Sequence, residues 1–327
     1  MKKAFSLLII GTIGTLSIKA QTVSQYTMWY QNHYLVNPAA AGNLDYLDVG
    51  VGFRRQWAGV KNVPQTFYAT AHSVLNRPKT FERSALRLSN TQDGVYDADK
   101  DINKPMLKHA LGGSLNTSEF GAFKNSSAML TYALHLPVFD KVSLSFGLSG
   151  GLNNYGFDQG KATVIESNDP IYNAYAAGEN SNKFNVNAGT YLYSDKFFFG
   201  YSANQLLQNK LEIADIQTTG EKASLEIHHF IMGGYHFDLS NDWRLTPAVL
   251  LKKLNPNPIS YDINATLTYK QTIYGGIAYR NEDAISLMFG MQFNHLVRAG
   301  YAYDFGTSEL SKQASGSHEI FIGLTLF

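Results

Sequence analysis

The sequence predicts an all-β fold: a transmembrane antiparallel outer-membrane β-barrel of about 14 strands, preceded by an N-terminal periplasmic lead-in segment. Three observations predict it. The chain opens on an export leader, no later run is apolar enough for a membrane helix, and segment after segment alternates apolar with polar side chains. In lipid the backbone must satisfy its own hydrogen bonds, so an exported membrane protein without spanning helices has to be a closed barrel.

The leader comes first. Lys2 and Lys3 precede an apolar or small stretch from Ala4 to Ile18, and Lys19-Ala20 leads into Gln21. This is the pattern of a secretory signal peptide cut after Ala20, with the exact bond free to move by a residue because Ile18 is bulky for its place. No Cys stands at the cut, which argues against lipoprotein processing. Loss of Lys2, Lys3 and Lys19 changes the formal charge from +1 to about −2, with 24 basic against 26 acidic residues. A near-neutral chain has no electrostatic pull toward nucleic acid. The absence of Cys among 327 residues excludes a disulfide scaffold, a zinc ribbon, an iron–sulfur centre and a cysteine nucleophile. Tyr and Phe number 20 each and Gly 28, yet the mean hydropathy is only −0.19. The chain is aromatic and polar at once, as a wall with one dry and one wet face must be.

The alternation is explicit. Val142, Leu144, Phe146 and Leu148 alternate with Ser143, Ser145, Gly147 and Ser149. Ile259 through Tyr269, Ile285 through Phe293 and Val297 through Phe305 repeat the pattern. Period two is a strand with unlike faces. Strands are expected near 46–57, 65–74, 109–117, 126–136, 142–154, 184–193, 197–204, 225–237, 243–254, 259–269, 272–280, 284–294, 296–305 and 318–327. Every second connection is short (137–141, 194–196, 239–242, 270–271, 294–295), as periplasmic turns are. Those at 155–183, 205–224 and 306–317 are long, as outer loops are. Two depart from the rule: 281–283 is short, and 75–108 is long on the short side. A periplasmic β-sandwich also alternates, but rarely with strands this long and regular and with Tyr near their ends. Asp262, Arg298 and Asp304 fall on the polar face, where water or one another can solvate them, with lumenal water the favoured expectation. In the last strand Ile320, Ile322, Leu324 and Leu326 share one face and Phe327 lies on the other. Either a bulge shifts that register or the terminal Phe does not face lipid.

Catalytic chemistry is not legible. Gly147-Leu-Ser-Gly-Gly151 matches the G-x-S-x-G elbow, but that motif needs a strand-to-helix turn, and Ser149 sits inside a period-two strand. No phosphate-binding glycine loop and no H-E-x-x-H is present. His228 and His229 are strand neighbours, point to opposite faces and cannot share a metal. No enzyme activity, cofactor or metal is expected.

The informative motifs lie between and at the ends of strands. They are Ser24-Gln-Tyr26, Asn37-Pro-Ala-Ala-Ala-Gly42, Arg54-Arg-Gln-Trp-Ala-Gly-Val60 and Pro64-Gln-Thr66. Later come Tyr132-Ala-Leu-His135, Leu245 to Lys252, Asp262-Ile-Asn264, Tyr279-Arg280, Tyr301-Ala-Tyr-Asp304 and Ser317-His-Glu-Ile320. In order and spacing this set closely resembles the PorP/SprF family of outer-membrane barrels, associated with type IX secretion and gliding motility. The resemblance runs from Ser24 to Phe327. It departs at 77–108, which reads as an insertion, and at Pro247-Ala, where the family usually has Pro-Ser.

The resemblance implies residence in the outer membrane of a Gram-negative bacterium, among membrane lipids and type IX secretion components of the periplasm and outer membrane. It also implies one of two jobs. The first expectation is a barrel that binds the C-terminal sorting domain of a large secreted adhesin for its export and surface anchoring. The alternative is a scaffold tying the periplasmic ring and a peptidoglycan-binding partner to the outer membrane. A diffusion channel is a third reading. The organisation expected is a signal peptide (1–20), a periplasmic or plug segment (21–45) and the barrel (46–327). Asn37-Pro38 and Gly42 carry turn chemistry, so the lead-in is structured, and its run Tyr26, Trp29, Tyr30, Tyr34 suits either a lumenal plug or a cover on the barrel base. Arg54, Gln56 and Trp57 are expected to lock the 75–108 connection inside. The positions taken as partner-binding or family motif are Tyr26, Asn37, Pro38, Gly42, Arg55, Gln56, Trp57, Pro64, Lys252, Asp262, Asp304, His318 and Glu319.

Overall fold

The structure, a computed structural model, describes residues 24–75, 107–139, 141–162, 172, 181–209, 225–255, 257–293, 296–307 and 314–326. The leader, residues 76–106 of the long connection and Phe327 lie outside the described residues. The strands are β1 (Leu47–Arg55), β2 (Gln65–Val74), β3 (Lys108–Phe120), β4 (Phe123–Phe139) and β5 (Val142–Phe157). They continue with β6 (Ser181–Ser194), β7 (Phe197–Asn204), β8 (His228–Tyr235), β9 (Phe237–Asp238) and β10 (Trp243–Leu254). The last are β11 (Ser260–Tyr269), β12 (Ile273–Arg280), β13 (Ala284–Phe293), β14 (Val297–Gly306) and β15 (Ser317–Leu326). Each pairs antiparallel with its neighbour in sequence, except that β8 and β9 both pair with β10 rather than with each other, and β15 pairs with β1 to close the ring. No described helix is long and apolar enough to cross a membrane.

β8 and β9 form one stave, which makes a closed barrel of 14. The break between them has a local cause. β10 pairs with β8 from Ala248 upward and with β9 at Leu245 and Arg244, and the ladder lapses at Thr246 and Pro247. Pro247 has no N–H to give. His236, which drops out of the β10 ladder, donates its N–H to Lys196 O on the other side at 2.7 Å and turns its Nδ1 to Thr246 Oγ1 at 2.9 Å. Pro137 sits likewise at a register shift near the end of β4, where a proline disturbs least.

The two faces sort as the alternation requires. Val51, Phe53, Leu130, Ile277, Phe289 and Ile322 point outward and are exposed, whereas Thr70, Ser145, Ser149, Asn264 and Ser286 point inward and are buried. Exposed apolar side chains at this density fit a lipid-facing wall. The ends carry aromatic pairs, with Trp243 against Tyr269 at one rim and Tyr261 against Tyr279 at the other. Tight turns join β4–β5, β6–β7, β9–β10, β11–β12 and β13–β14 at the end where β1 begins, which is therefore the periplasmic end. At β11–β12 both Lys270 and Gln271 take positive φ, 48° and 54°, the left-handed pair that matches strand twist in a two-residue hairpin.

The sequence reading holds for most boundaries and departs at one hairpin. The β3–β4 hairpin is longer than expected, because Gly121 with φ 59° turns the chain in two residues and the ladder runs to Phe120 and Phe123. Of the two alternatives for the last strand the bulge is excluded, because β14–β15 pairing is regular through Leu324 and β1–β15 through Leu326; Phe327 lies outside the described residues. The expected lock of the 75–108 connection by Arg54, Gln56 and Trp57 falls on residues outside the described ones; Arg54 itself is buried and paired with Asp304 and Glu319. It lies beside Thr66 at the outer end of β1.

The outward face makes one expectation. Ile277→Arg, at the middle of β12 and 59% exposed, should cost about 2–4 kcal/mol. Reversible unfolding in phospholipid vesicles would read it, and a change under 1 kcal/mol would mean that this face is not against hydrocarbon.

Candidate functional site: the occupied lumen

Residues 24–45 lie inside the barrel. Ser24 starts near the outer end, bonded to Ser118 Oγ at 2.9 Å. The segment descends through short 3-10 turns at Trp29–Gln31, His33–Leu35 and Pro38–Ala40. It leaves at the periplasmic end, where Asp45 pairs with Lys108 at 2.5 Å, and enters β1 at Leu47. A chain in this position has no sheet to join, so its backbone is satisfied in part by its own turns and otherwise by side chains from the wall. Ser202 donates to Val36 O at 2.8 Å, Ser145 to Ala39 O at 2.7 Å, and His135 Nε2 bonds Ala41 O at 2.8 Å. Asn32 and Tyr34 reach Thr70 and Thr131, each at 2.6 Å.

The motif Asn37-Pro38 works as turn chemistry inside the barrel. Asn37 caps the 3-10 turn by accepting from Ala39 N at 2.9 Å, and its amide donates to Thr190 O at 2.9 Å. Pro38 at the first position of the turn loses nothing by lacking an N–H. The wall yields where the turn presses on it: a Cβ on Gly147 would sit 2.3 Å from Ala39 N. Gly42 has φ +75° and donates to His72 Nδ1 at 3.0 Å. Around this path Trp29, Tyr34, Val36 and Ala39 pack on Tyr191, Phe198, Met232 and Leu250, and Met28 packs on Tyr68, Met288 and Phe321.

The upper half of the segment is held by charge. Arg54, Arg280 and Lys252 face Asp262, Asp304 and Glu319, all at most 5% exposed. Thr27 sits among them. Its N–H and that of Met28 donate to the two oxygens of Glu319 at 2.6 and 3.2 Å. Its hydroxyl accepts from Arg54 at 2.7 Å and Arg280 at 3.1 Å and donates to Asp304. Arg54 pairs with Asp304 at 2.6 Å and Glu319 at 3.2 Å. Arg280 pairs with Asp262 at 3.1 Å and Asp283 at 3.0 Å, and Lys252 joins Asp262 at 3.0 Å and Gln25. Tyr68 OH completes the cluster at Glu319, 2.9 Å away. Water was expected to solvate Asp262, Asp304 and Arg298. The structure instead gives the two Asp residues arginine and lysine partners, and Arg298 an Asp48 carboxylate at 2.5 Å. A lumen filled by protein leaves little water for them, so opposite charge takes its place.

Among the thirteen positions singled out, Lys252, Asp262, Asp304 and Glu319 meet in this cluster. Tyr26 adjoins it, edge-on to Tyr68 with ring centres 5.2 Å apart, its hydroxyl bonded to Asn116. Asn37, Pro38 and Gly42 belong to the lower half of the segment. The others do not come together with them. Arg55 and His318 pair across β1 and β15 on the outward face, where His318 bonds Tyr301 OH at 2.6 Å. Gln56, Trp57 and Pro64 shape the β1–β2 loop: Gln56 N donates to Pro64 O, and Trp57, with φ 48°, donates to Ser317 Oγ. Thr27, Arg54 and Arg280 were missing from that set. The signal for Arg54 was present: Val51 and Phe53 face lipid, so Arg55 must follow them and Arg54 must face inward. Ser149 is 4% exposed within β5 and bonded to Thr131 at 2.6 Å, so no nucleophile elbow forms. Among the described residues no His, Asp and Glu converge as a metal site.

The model of the type IX secretion system membrane proteins PorP/SprF matches residues 18–324. The chain belongs to the PorP/SprF family. It is accordingly a non-catalytic outer-membrane barrel of a Gram-negative bacterium, from a family of the type IX secretion system. No curated protein sequence matches it. Among solved structures it is similar to the Ralstonia pickettii toluene transporter TbuX, with 8% identity over 89% of this chain and 92% of that one and a TM-score of 0.49. It is also similar to the CymD monoaromatic hydrocarbon channel (12%, 89% and 90%, 0.48) and to a Pseudomonas aeruginosa FadL homologue (11%, 89% and 92%, 0.46). At such scores no shared function follows.

Two expectations follow for the PorP/SprF lumen. Arg54→Ala strands two buried carboxylates and should cost about 3–5 kcal/mol of segment docking, whereas Arg55→Ala, on the outward face, should change it by less than about 0.5 kcal/mol. A thiol introduced by Gln31→Cys would be unique in this cysteine-free chain, and its labelling rate reads the docking directly. Equal labelling in both variants would refute the charge cluster as what holds the segment. Burial, aided by neighbouring His236, pulls His33 from 6.5 down to about 3. The depressed value favours the docked segment above pH 6.5, and that contribution is lost as pH falls from 6.5 toward 3. Labelling should rise through this window, and His33→Gln should flatten the rise. An unchanged profile in the variant would remove His33 from the account.

Proposed function

We propose that this barrel acts as a scaffold of the type IX machinery, holding periplasmic partners to the outer membrane by its rim rather than conducting solutes through its lumen. The observation that carries this reading is the occupied lumen: the segment bonds or packs against strands from β1 through β15. A barrel filled in this way has its surfaces left to work with. The asymmetry of its connections supports the periplasmic end. Described connections there are tight turns, yet the chain between Val74 and Lys108 is the exception, and long connections are where binding sits. Binding the sorting domain of a large secreted adhesin for export and anchoring is the second reading, and type IX family membership favours it to the same degree.

Two measurements separate these readings. The intact protein should show no conductance in planar bilayers, and deletion of 24–45 should open one; steady conductance of the intact protein would restore the channel reading. Crosslinked capture from the native envelope should recover periplasmic ring components. Recovery of a large adhesin without them would replace the scaffold by the adhesin reading.

A further inference from the structure

The segment stands off the wall on one side. Between it and strands β10 to β14 lies a cavity of about 300 Å³. Tyr30, Gln31 and His33 line its inner side, and Asn264, Thr266 and Tyr274 line its wall. Its mouth is at the periplasmic end, where Gln271 and Thr272 of the β11–β12 turn are exposed.

The wall of this cavity holds polar atoms that the protein does not use. Both the amide nitrogen and the amide oxygen of Asn264, the hydroxyl of Thr266 and Nε of Arg298 are buried without a hydrogen-bond partner. Asn264 is 2% exposed and Thr266 4%. Buried groups of this kind are rare unless something pairs with them. Beside the segment Ser145, Ser202 and Thr131 are bonded, whereas the hydroxyl of Tyr274, which also lines this cavity, is unpaired, as are those of Ser286 and Thr325 elsewhere on the wall.

The chemistry of the lining selects the ligand. Its two arginines are already neutralised, Arg244 by Asp238 at 2.7 Å and Arg298 by Asp48 at 2.5 Å, so nothing calls for an anion. Side-chain amides from Gln31, Asn264 and Gln292 offer donors and acceptors side by side, which suits hydroxyl groups that both give and accept. Phe198 and Met291 add apolar surface, and Tyr30 stands edge-on to Tyr274 with ring centres 6.0 Å apart. A hydrocarbon would leave the amide of Asn264 unpaired. The volume is at the small end for a ligand pocket, room for one ring. We propose that this cavity is a binding site for a neutral polyhydroxylated ring, a monosaccharide-sized sugar, entering from the periplasm. The site is independent of the scaffold reading, since loss of sugar binding would leave capture of periplasmic partners unchanged.

The test titrates the full barrel in detergent with methyl glucoside and N-acetylglucosamine by saturation-transfer NMR and calorimetry, with toluene and inorganic phosphate as comparison probes. Saturable binding of at least one sugar is expected, with no response to toluene or phosphate. Thr266→Val removes one hydroxyl and keeps the shape of the side chain, so it should fold and weaken binding about tenfold or more. Asn264→Leu should weaken it further, with heat-modifiable migration confirming an intact barrel. The proposal is overturned by the absence of saturable sugar binding, by toluene or phosphate binding in place of sugar, by unchanged affinity in Thr266→Val, or by a high-resolution structure soaked in sugar that shows water only.

Discussion

The carboxylate of Glu319 joins the lumenal segment to the last strand. It accepts from two consecutive backbone N–H groups, those of Thr27 and Met28, while Arg54 and Tyr68 hold it from strands β1 and β2. Those peptide groups lie in a lumen where no helix or sheet can satisfy them, and a buried N–H without an acceptor is costly. Once Glu319 is committed to them its charge must be matched, which brings in Arg54. Arg54 in turn fixes Asp304, and Asp304 fixes Arg280. The rest of the cluster follows by charge balance: three cations of the wall against three buried carboxylates, with Thr27 at the centre.

The same demand sets the lower half of the segment by different means. Its carbonyls are met by neutral hydroxyls and by His135, and its turn is cut by Asn37 and Pro38 to fit beside Gly147. Charge above and small neutral groups below make the two ends unlike. A buried ion pair that loses one partner is worse than none, so the upper end releases all at once or not at all. The lower end is a series of single hydrogen bonds, each worth about 1 kcal/mol, and it carries a histidine held neutral by burial. On the side facing β11 the packing loosens, and the cavity with its unpaired Asn264 lies there.

Period two was enough to place the strands and to sort their faces, because a barrel wall separates lipid from lumen at every residue. It was enough to put Asp262, Arg298 and Asp304 inside, and, applied to β1, it separates Arg54 from Arg55. It could not pair them. Asp304 and Thr27 are 277 positions apart, and Glu319 and Thr27 are 292 apart. Nothing in a local pattern states which strands a barrel brings to one level. The break at His236 has a local origin in Pro247, but its effect appears on the neighbouring stave, and only pairing reveals that.

The chain alone is enough for a membrane-spanning barrel of about 14 strands and for the family to which it belongs. Composition, alternation and motif order are properties of the chain alone. What the tertiary structure decided is the path of residues 24–45. Their aromatic run reads equally well as a base cover or as a filling, and the choice depends on inward-facing polar groups from strands far apart in sequence. Those groups find their acceptors and counter-charges only when the ring closes around the segment, with β15 against β1 and Thr27 between them.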